Sequence, residues 1–146
     1  MRTVHQLLEA KSAQGMAAVH AIRPEAPVID AIRMMAEHHI GTVMVMDGPH
    51  LVGILSERDY ARKVVLQGRS SANTPVADIM TSQVVTASPH DTSDHCMQRM
   101  TERRIRHLPV VDAGSVVGIV SIGDVVKAVI EDQQQPVDHR QRYIAS

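Results

Sequence analysis

An internal repeat constrains this chain more than any other feature of its sequence. Val19 to Val65 aligns without a gap with Val84 to Ile130 at a constant offset of 65, and 13 of the 47 aligned positions are identical. The polar run Gly53, Ile54, Ser56 and Asp59 recurs as Gly118, Ile119, Ser121 and Asp124. A repeat of this length is one supersecondary unit. One copy of ~50 residues is marginal alone, so two copies are expected to share the burial of a core.

The same signals follow in the same order in each copy. A short extended piece (Ala18 to Ile22; Gln83 to Ala87) leads to Pro24 or Pro89, a turn signal. Apolar residues at Val28, Ile32, Met35 and Ala36, matched by Cys96, Met97 and Met100, have the spacing of one buried helical stripe. Two short apolar runs with Gly48 or Gly114 between them read as strand, tight turn, strand: Val43 to Met46 with Leu51 to Leu55, and Leu108 to Val111 with Val116 to Val120. Tyr60, Ala61, Val64 and Val65, and in the second copy Val125, Val126, Val129 and Ile130, predict a closing helix. Each copy is therefore β-α-β-β-α, an α/β fold.

The expected organisation is an N-terminal helical segment over 1–15, repeat 1 over 16–67, a polar linker over 68–82, repeat 2 over 83–132 and a flexible tail over 133–146. Val76 to Met80, inside the linker, can make one helical turn. Phe and Trp are absent and Tyr occurs twice, so Val, Ile, Leu, Ala and nine Met must fill the core. The formal charge of −1 provides no field to draw nucleic acid, and base-stacking platforms are missing. No run approaches the ~18 apolar residues of a membrane helix, and the start lacks the apolar core of a signal peptide. With a single cysteine, Cys96, and no export signal, a reducing cytoplasm is the expected compartment.

The candidate chemistry lies in Ser56-Glu57-Arg58-Asp59 and Ser121-Ile122-Gly123-Asp124, each where a strand passes into a helix. The N–H groups at such a helix start attract an anion such as phosphate, and a carboxylate can accept two hydrogen bonds from a ribose diol. The same Ser-x-x-acid spacing is also a capping box that satisfies the helix's own N–H groups. Spacing alone leaves both readings open.

Gly-hydrophobic-hydrophobic-Ser-x-x-Asp closing a β-α-β-β-α unit resembles the CBS domain, named after cystathionine β-synthase. Ser56 to Lys63, Asp78-Ile79-Met80-Thr81 and Arg104 to Asp112 are similar to small free-standing bacterial members. The resemblance implies two CBS repeats packed with pseudo-twofold symmetry, a Bateman module, with adenosine-containing ligands (AMP, ADP, ATP or NAD) in clefts between the repeats. By matching motif it implies Asp59 and Asp124 for ribose, and Ser56 and Ser121 beside phosphate. It further implies Val85, Thr86, Arg106, His107, Leu108 and Pro109 for the Asp59 cleft. His20, Ala21, Ile22, Gly41, Thr42 and Val43 are implied for the Asp124 cleft. Arg58, Arg106 and His107 make the Asp59 cleft the expected phosphate site, whereas Gly123 argues against strong polyphosphate binding at the other.

The function so implied is a regulatory module sensing energy or redox state, with no catalytic cofactor, a homodimeric assembly and an unidentified protein target. Tyr60, Val64, Val125 and Val129 are the candidates for exposed apolar surface in such a dimer. The alternative is a dimerisation or interaction module that senses nothing. No nucleophile elbow, P-loop or Cys-His pair points to an enzyme. Of the nine His, His38-His39, His90, His95 and His139 match no zinc-like spacing, and Cys96 falls on the buried helical stripe, so no metal is expected. Arg99, Arg103, Arg104 and Arg106 form the one basic cluster, expected first as a solvated face paired with carboxylates such as Glu102. Phosphate contacts or a docking surface for a partner are the alternatives, with a nucleic-acid surface behind them.

Overall fold

A computed structural model describes residues 1–15 and 18–145, with side chains described to residue 133. The chain divides into two compact units, Val19–Val85 and, together, Met1–Ala18 with Thr86–Ser146.

In the Val19–Val85 unit, β1 (Ala21–Ile22) pairs parallel with β2 (Thr42–Asp47), which pairs antiparallel with β3 (His50–Ser56). Between β1 and β2 runs α2 (Val28–His38). After β3 come α3 (Glu57–Tyr60), a π-helical turn over Ala61–Val65, and α4 (Val76–Ile79). Helix α2 turns Val28, Ala31 and Met35 inward, the i, i+3, i+7 stripe of an amphipathic helix. These residues close a core with Val43, Val45, Leu55, Val64, Val76 and Ile79.

The other unit contains α1 (Val4–Ala13), α5 (Ser93–Arg103), the antiparallel pair β4 (His107–Asp112) and β5 (Ser115–Ser121), and α6 (Ile122–Ala145). The repeat recurs in the packing of its helix and hairpin. Helix α5 buries Ser93, Cys96 and Met100, the positions 65 beyond Val28, Ala31 and Met35. Both hairpins carry a bulge at the same place, after Val45 and after Val110. Both α2 and α5 end on a left-handed residue, His39 (φ 53°) and Arg104 (φ 54°), whose N–H groups return to Met35 and Met100 carbonyls. The strand expected over Gln83 to Ala87 shrinks to one parallel bridge, Ala87 with Val110.

The segments ahead of the two repeats form a second, hidden repeat. Thr74 O accepts from Val28 N–H, while Val76 and Ala77 N–H donate to the Ala26 and Pro24 carbonyls, at 2.8 to 2.9 Å. In the other unit Arg2 O accepts from Ser93 N–H, and Val4 and His5 N–H donate to the Asp91 and Pro89 carbonyls, again at 2.8 to 2.9 Å. Arg2 to Leu8 thus matches Thr74 to Met80 at an offset of 72. Each leader packs on the repeat it does not introduce: 74–80 completes repeat 1, and 2–8 completes repeat 2. The range expected as a polar linker accordingly includes the buried Thr74, Val76 and Ile79. Glycine is required where the leaders cross the hairpins. A β-carbon at Gly53 would stand 2.5 Å from Met80 Sδ, and one at Gly118 would stand 2.7 Å from Leu8 Cδ2.

The expected exposed apolar surface needs correction. Val125 is fully buried because the inward face of α6 runs through Val125 and Ala128. Val64 is fully buried in the core with Val28, Val43 and Leu55, and Tyr60 and Val129 are half-buried. The exposed apolar side chains in these segments are Val65, Leu66, Val126 and Ile130. The expected flexible tail, 133–146, lies almost wholly outside the residues whose side chains are described.

Candidate functional site

The two Ser-x-x-Asp elements have nearly the same local geometry. Ser56 ends β3 and is the N-cap of α3. Its Oγ accepts from Asp59 N–H at 3.1 Å, and Asp59 Oδ2 accepts from Ser56 N–H and Oγ–H, each at 3.1 Å. In the other unit Ser121 Oγ accepts from Asp124 N–H at 3.2 Å, and Asp124 Oδ2 accepts from Ser121 N–H at 2.8 Å. Capping boxes therefore form in both places. The cap uses part of each carboxylate's acceptor capacity, which for two oxygens is about four hydrogen bonds.

The start of the preceding strand lies beside each cap. Glu57 N–H donates to Gly41 O at 3.0 Å and Thr42 is paired with Ser56, while Ile122 N–H donates to Arg106 O at 2.8 Å and His107 is paired with Ser121. Within one unit the structure thus gathers Ser56, Asp59, Gly41 and Thr42. Within the other it gathers Ser121, Asp124, Arg106 and His107. Ile22, Val43, Leu108 and Pro109 have their side chains in the core, so only their backbone can meet a ligand. His20, Val85 and Thr86 are half-buried, and Ala21 and Arg58 are exposed. The Thr86 carbonyl accepts from the Arg99 guanidinium, which gives one of the four clustered arginines a structural partner.

Two lysines complete the sites, and neither stood out in the sequence. Lys63 Nζ is 3.2 Å from Asp59 Oδ1 and donates to Ile79 O at 3.0 Å. Lys11 Nζ is 2.9 Å from Asp124 Oδ2 and donates to Ile119 O at 2.8 Å. Asp59 and Lys63 are four apart on a helical segment, a spacing that charge patterning can find. Lys11 comes from α1, 113 residues from its partner, and no local pattern reveals it. Thr81 Oγ also approaches Asp59 Oδ1, at 3.5 Å.

Burial holds His107 below the ordinary imidazole range, Lys11 and Arg106 push it further down, and Asp124 opposes them. His20 is lowered first by burial and then by His38, whose ring stacks on it at 4.0 Å. Cys96 is buried and its thiol is pushed up to about 11, chiefly by desolvation, which keeps it protonated and poorly nucleophilic. Among the described residues no group of three or more His, Cys, Asp and Glu is arranged to hold a metal ion, and no helix is long and apolar enough to cross a membrane.

Comparison with known proteins agrees with this architecture. A family model for the CBS domain matches residues 16–66 and 76–131. The Arabidopsis thaliana CBS domain-containing protein CBSX3, mitochondrial, is 42% identical over 122 residues, 80% of this chain; the chain spans 59% of that relative's length. The structure of a protein with CBS domains from Burkholderia ambifaria MC40-6 is 51% identical, covers 90% of this chain and 96% of its own, and superposes with a TM-score of 0.85. The CBS domain pair of protein MJ0100, solved in complex with 5'-methylthioadenosine and S-adenosyl-L-methionine, is 25% identical with a TM-score of 0.77 and coverage of 90% and 98%. This chain belongs to the CBS-domain family and carries two CBS domains in tandem.

Proposed function

We propose that this chain is a regulatory module that binds an adenosine-containing ligand, AMP, ADP, ATP or NAD, at its Ser-x-x-Asp elements and catalyses no reaction. The observation that carries the reading is one polar geometry built twice: Ser56 with Asp59 and Ser121 with Asp124, each at a strand-to-helix turn. A related CBS pair that holds two adenosyl ligands supports the ligand class. In the proposal Asp59 and Asp124 accept the ribose hydroxyls, while Ser56 and Ser121 sit beside phosphate. As the resemblance implies, Val85, Thr86, Arg106, His107, Leu108 and Pro109 serve the Asp59 site, and His20, Ala21, Ile22, Gly41, Thr42 and Val43 serve the Asp124 site, although within their own units Arg106 and His107 lie beside the Asp124 cap and Gly41 and Thr42 beside the Asp59 cap. Arg58 adds charge to the Asp59 site.

Ligand that orders these walls shifts a conformational equilibrium that a protein target reads. A cytoplasmic location belongs to the same proposal. Saturation at ~100 times the dissociation constant stabilises the fold by about 2.7 kcal/mol. Thermal melts with AMP, ADP, ATP and NAD test this, after bound small molecules are removed from the protein. A rise of several degrees with one of them is expected, and an unmoved curve with all four contradicts the reading.

A second reading, an interaction module without a ligand, draws on the exposed Val65, Leu66, Val126 and Ile130. Such side chains suit self-association, and a homodimer is part of the proposal in either case. Light scattering that finds only a 16.0 kDa species argues against the dimer.

A further inference from the structure

The two lysines are not equivalent by descent. The position 65 beyond Lys63 is Ala128, and the position 72 beyond Lys11, in the register of the leaders, is Gln83. One ammonium comes from the turn after the Ser-x-x-Asp element and the other from α1, yet both reach the same kind of place. Each touches the aspartate of the motif and a main-chain carbonyl, Ile79 O or Ile119 O. Shared ancestry of the repeats does not account for two lysines arriving by separate routes. A requirement at the position does.

We infer that Lys11 and Lys63 are the charge-selecting residues of the two sites, favouring phosphate-bearing adenosine ligands over neutral and cationic ones. The inference rests on the ligand reading proposed above. A carboxylate that holds the ribose diol carries its charge on the same nucleotide as the phosphate, near enough for an unpaired negative charge to repel it in a partly buried site. An ammonium bonded to that carboxylate cancels the repulsion and leaves acceptor capacity for the hydroxyls. The same ammonium repels a sulfonium or amino group. At Asp124 the effect is the larger, because Lys11 is 16% exposed, whereas Lys63 is 45% exposed and screened by solvent, even though Asp59 at 15% is more buried than Asp124 at 22%.

The test compares AMP, adenosine and S-adenosylmethionine by titration calorimetry on the full chain. These ligands share base and diol and differ in charge. Asp59→Ala isolates the Asp124 site for the Lys11 variants, and Asp124→Ala isolates the Asp59 site for the Lys63 variants. Lys11→Met is expected to weaken AMP by roughly tenfold or more, to leave adenosine within about twofold and to strengthen S-adenosylmethionine. Lys11→Arg retains the wild-type order. Lys63→Met shifts the AMP to adenosine ratio in the same direction by about two- to threefold.

An unchanged ratio, or equal loss of AMP and adenosine, overturns the inference while the ligand reading stands, since the lysines then act only structurally. If neither AMP nor adenosine binds the parent chain, the ligand reading fails and takes this inference with it. Thermal melts check each variant. Where Lys11→Met does not fold, Lys11→Gln and the half-exposed Lys63 decide the matter.

Discussion

Lys11 Nζ lies 2.9 Å from Asp124 Oδ2, joining the first helix of the chain to the acid that closes its second repeat. The same ammonium donates to Ile119 O, and Arg2 reinforces the junction by pairing with Glu131 and Asp132. Truncating Lys11 leaves a largely buried carboxylate and a carbonyl without their donor. Lys11→Ala is expected to lower stability by about 1–3 kcal/mol. Lys63→Ala removes an ammonium that is nearly half in solvent, and Asp59, although 15% exposed, keeps Ser56 N–H, Ser56 Oγ–H and Thr81 Oγ–H as donors, so it costs under about 1 kcal/mol. Denaturant titrations of the two variants check the contrast, and equal losses contradict it.

His39 and Arg104 end equivalent helices in the left-handed region, where a β-carbon costs about 1–2 kcal/mol. Glycine removes that cost but loses more chain entropy on folding. His39→Gly and Arg104→Gly should each stabilise by about 0.5–1 kcal/mol, raising the melting temperature by roughly 1–4 °C. A fall in melting temperature for both contradicts the assigned caps.

Because His107 is held below its ordinary value of 6.5 chiefly by burial, the folded state prefers it neutral. The unfolded chain binds more protons as pH drops through that value, so stability rises with pH there. The contribution is full above about pH 6.5 and is lost as pH falls toward the folded value, and His20 acts in the same direction. Melting temperature is expected to fall between about pH 7.5 and pH 5.5, and His107→Gln should flatten the decline. A wild-type curve that is level or rises toward acid contradicts this.

What could be read from the sequence was whatever the 65-residue offset carries. Ala31 and Cys96, or Met35 and Met100, occupy the same helical position and are buried in the same way. Gly53 and Gly118 were visible as identities, although their reason, the crossing of Met80 and Leu8, was not. The leaders escaped because they repeat at 72 rather than 65 and match in character more than identity: Val4 with Val76, Leu7 with Ile79, Leu8 with Met80. Helical spacing predicted that Tyr60, Val64, Val125 and Val129 share faces, but not which face meets the sheet. Lys11 illustrates the general limit, since a contact across 113 residues depends on tertiary packing that no local pattern encodes.

The caps and the proposed ligand sites use the same carboxylates, so stability and binding must be measured together. Losing a cap costs about 1 kcal/mol and leaves a folded protein. Titration calorimetry of the wild type, Asp59→Ala, Asp124→Ala and the double variant, with AMP, ATP and NAD, separates the roles most directly. The predicted result is that each single variant loses binding at one site, and the double variant melts cooperatively yet binds none of the three. A folded double variant that binds as the wild type does would make both aspartates helix caps only, and would contradict adenosine recognition by the Ser-x-x-Asp elements.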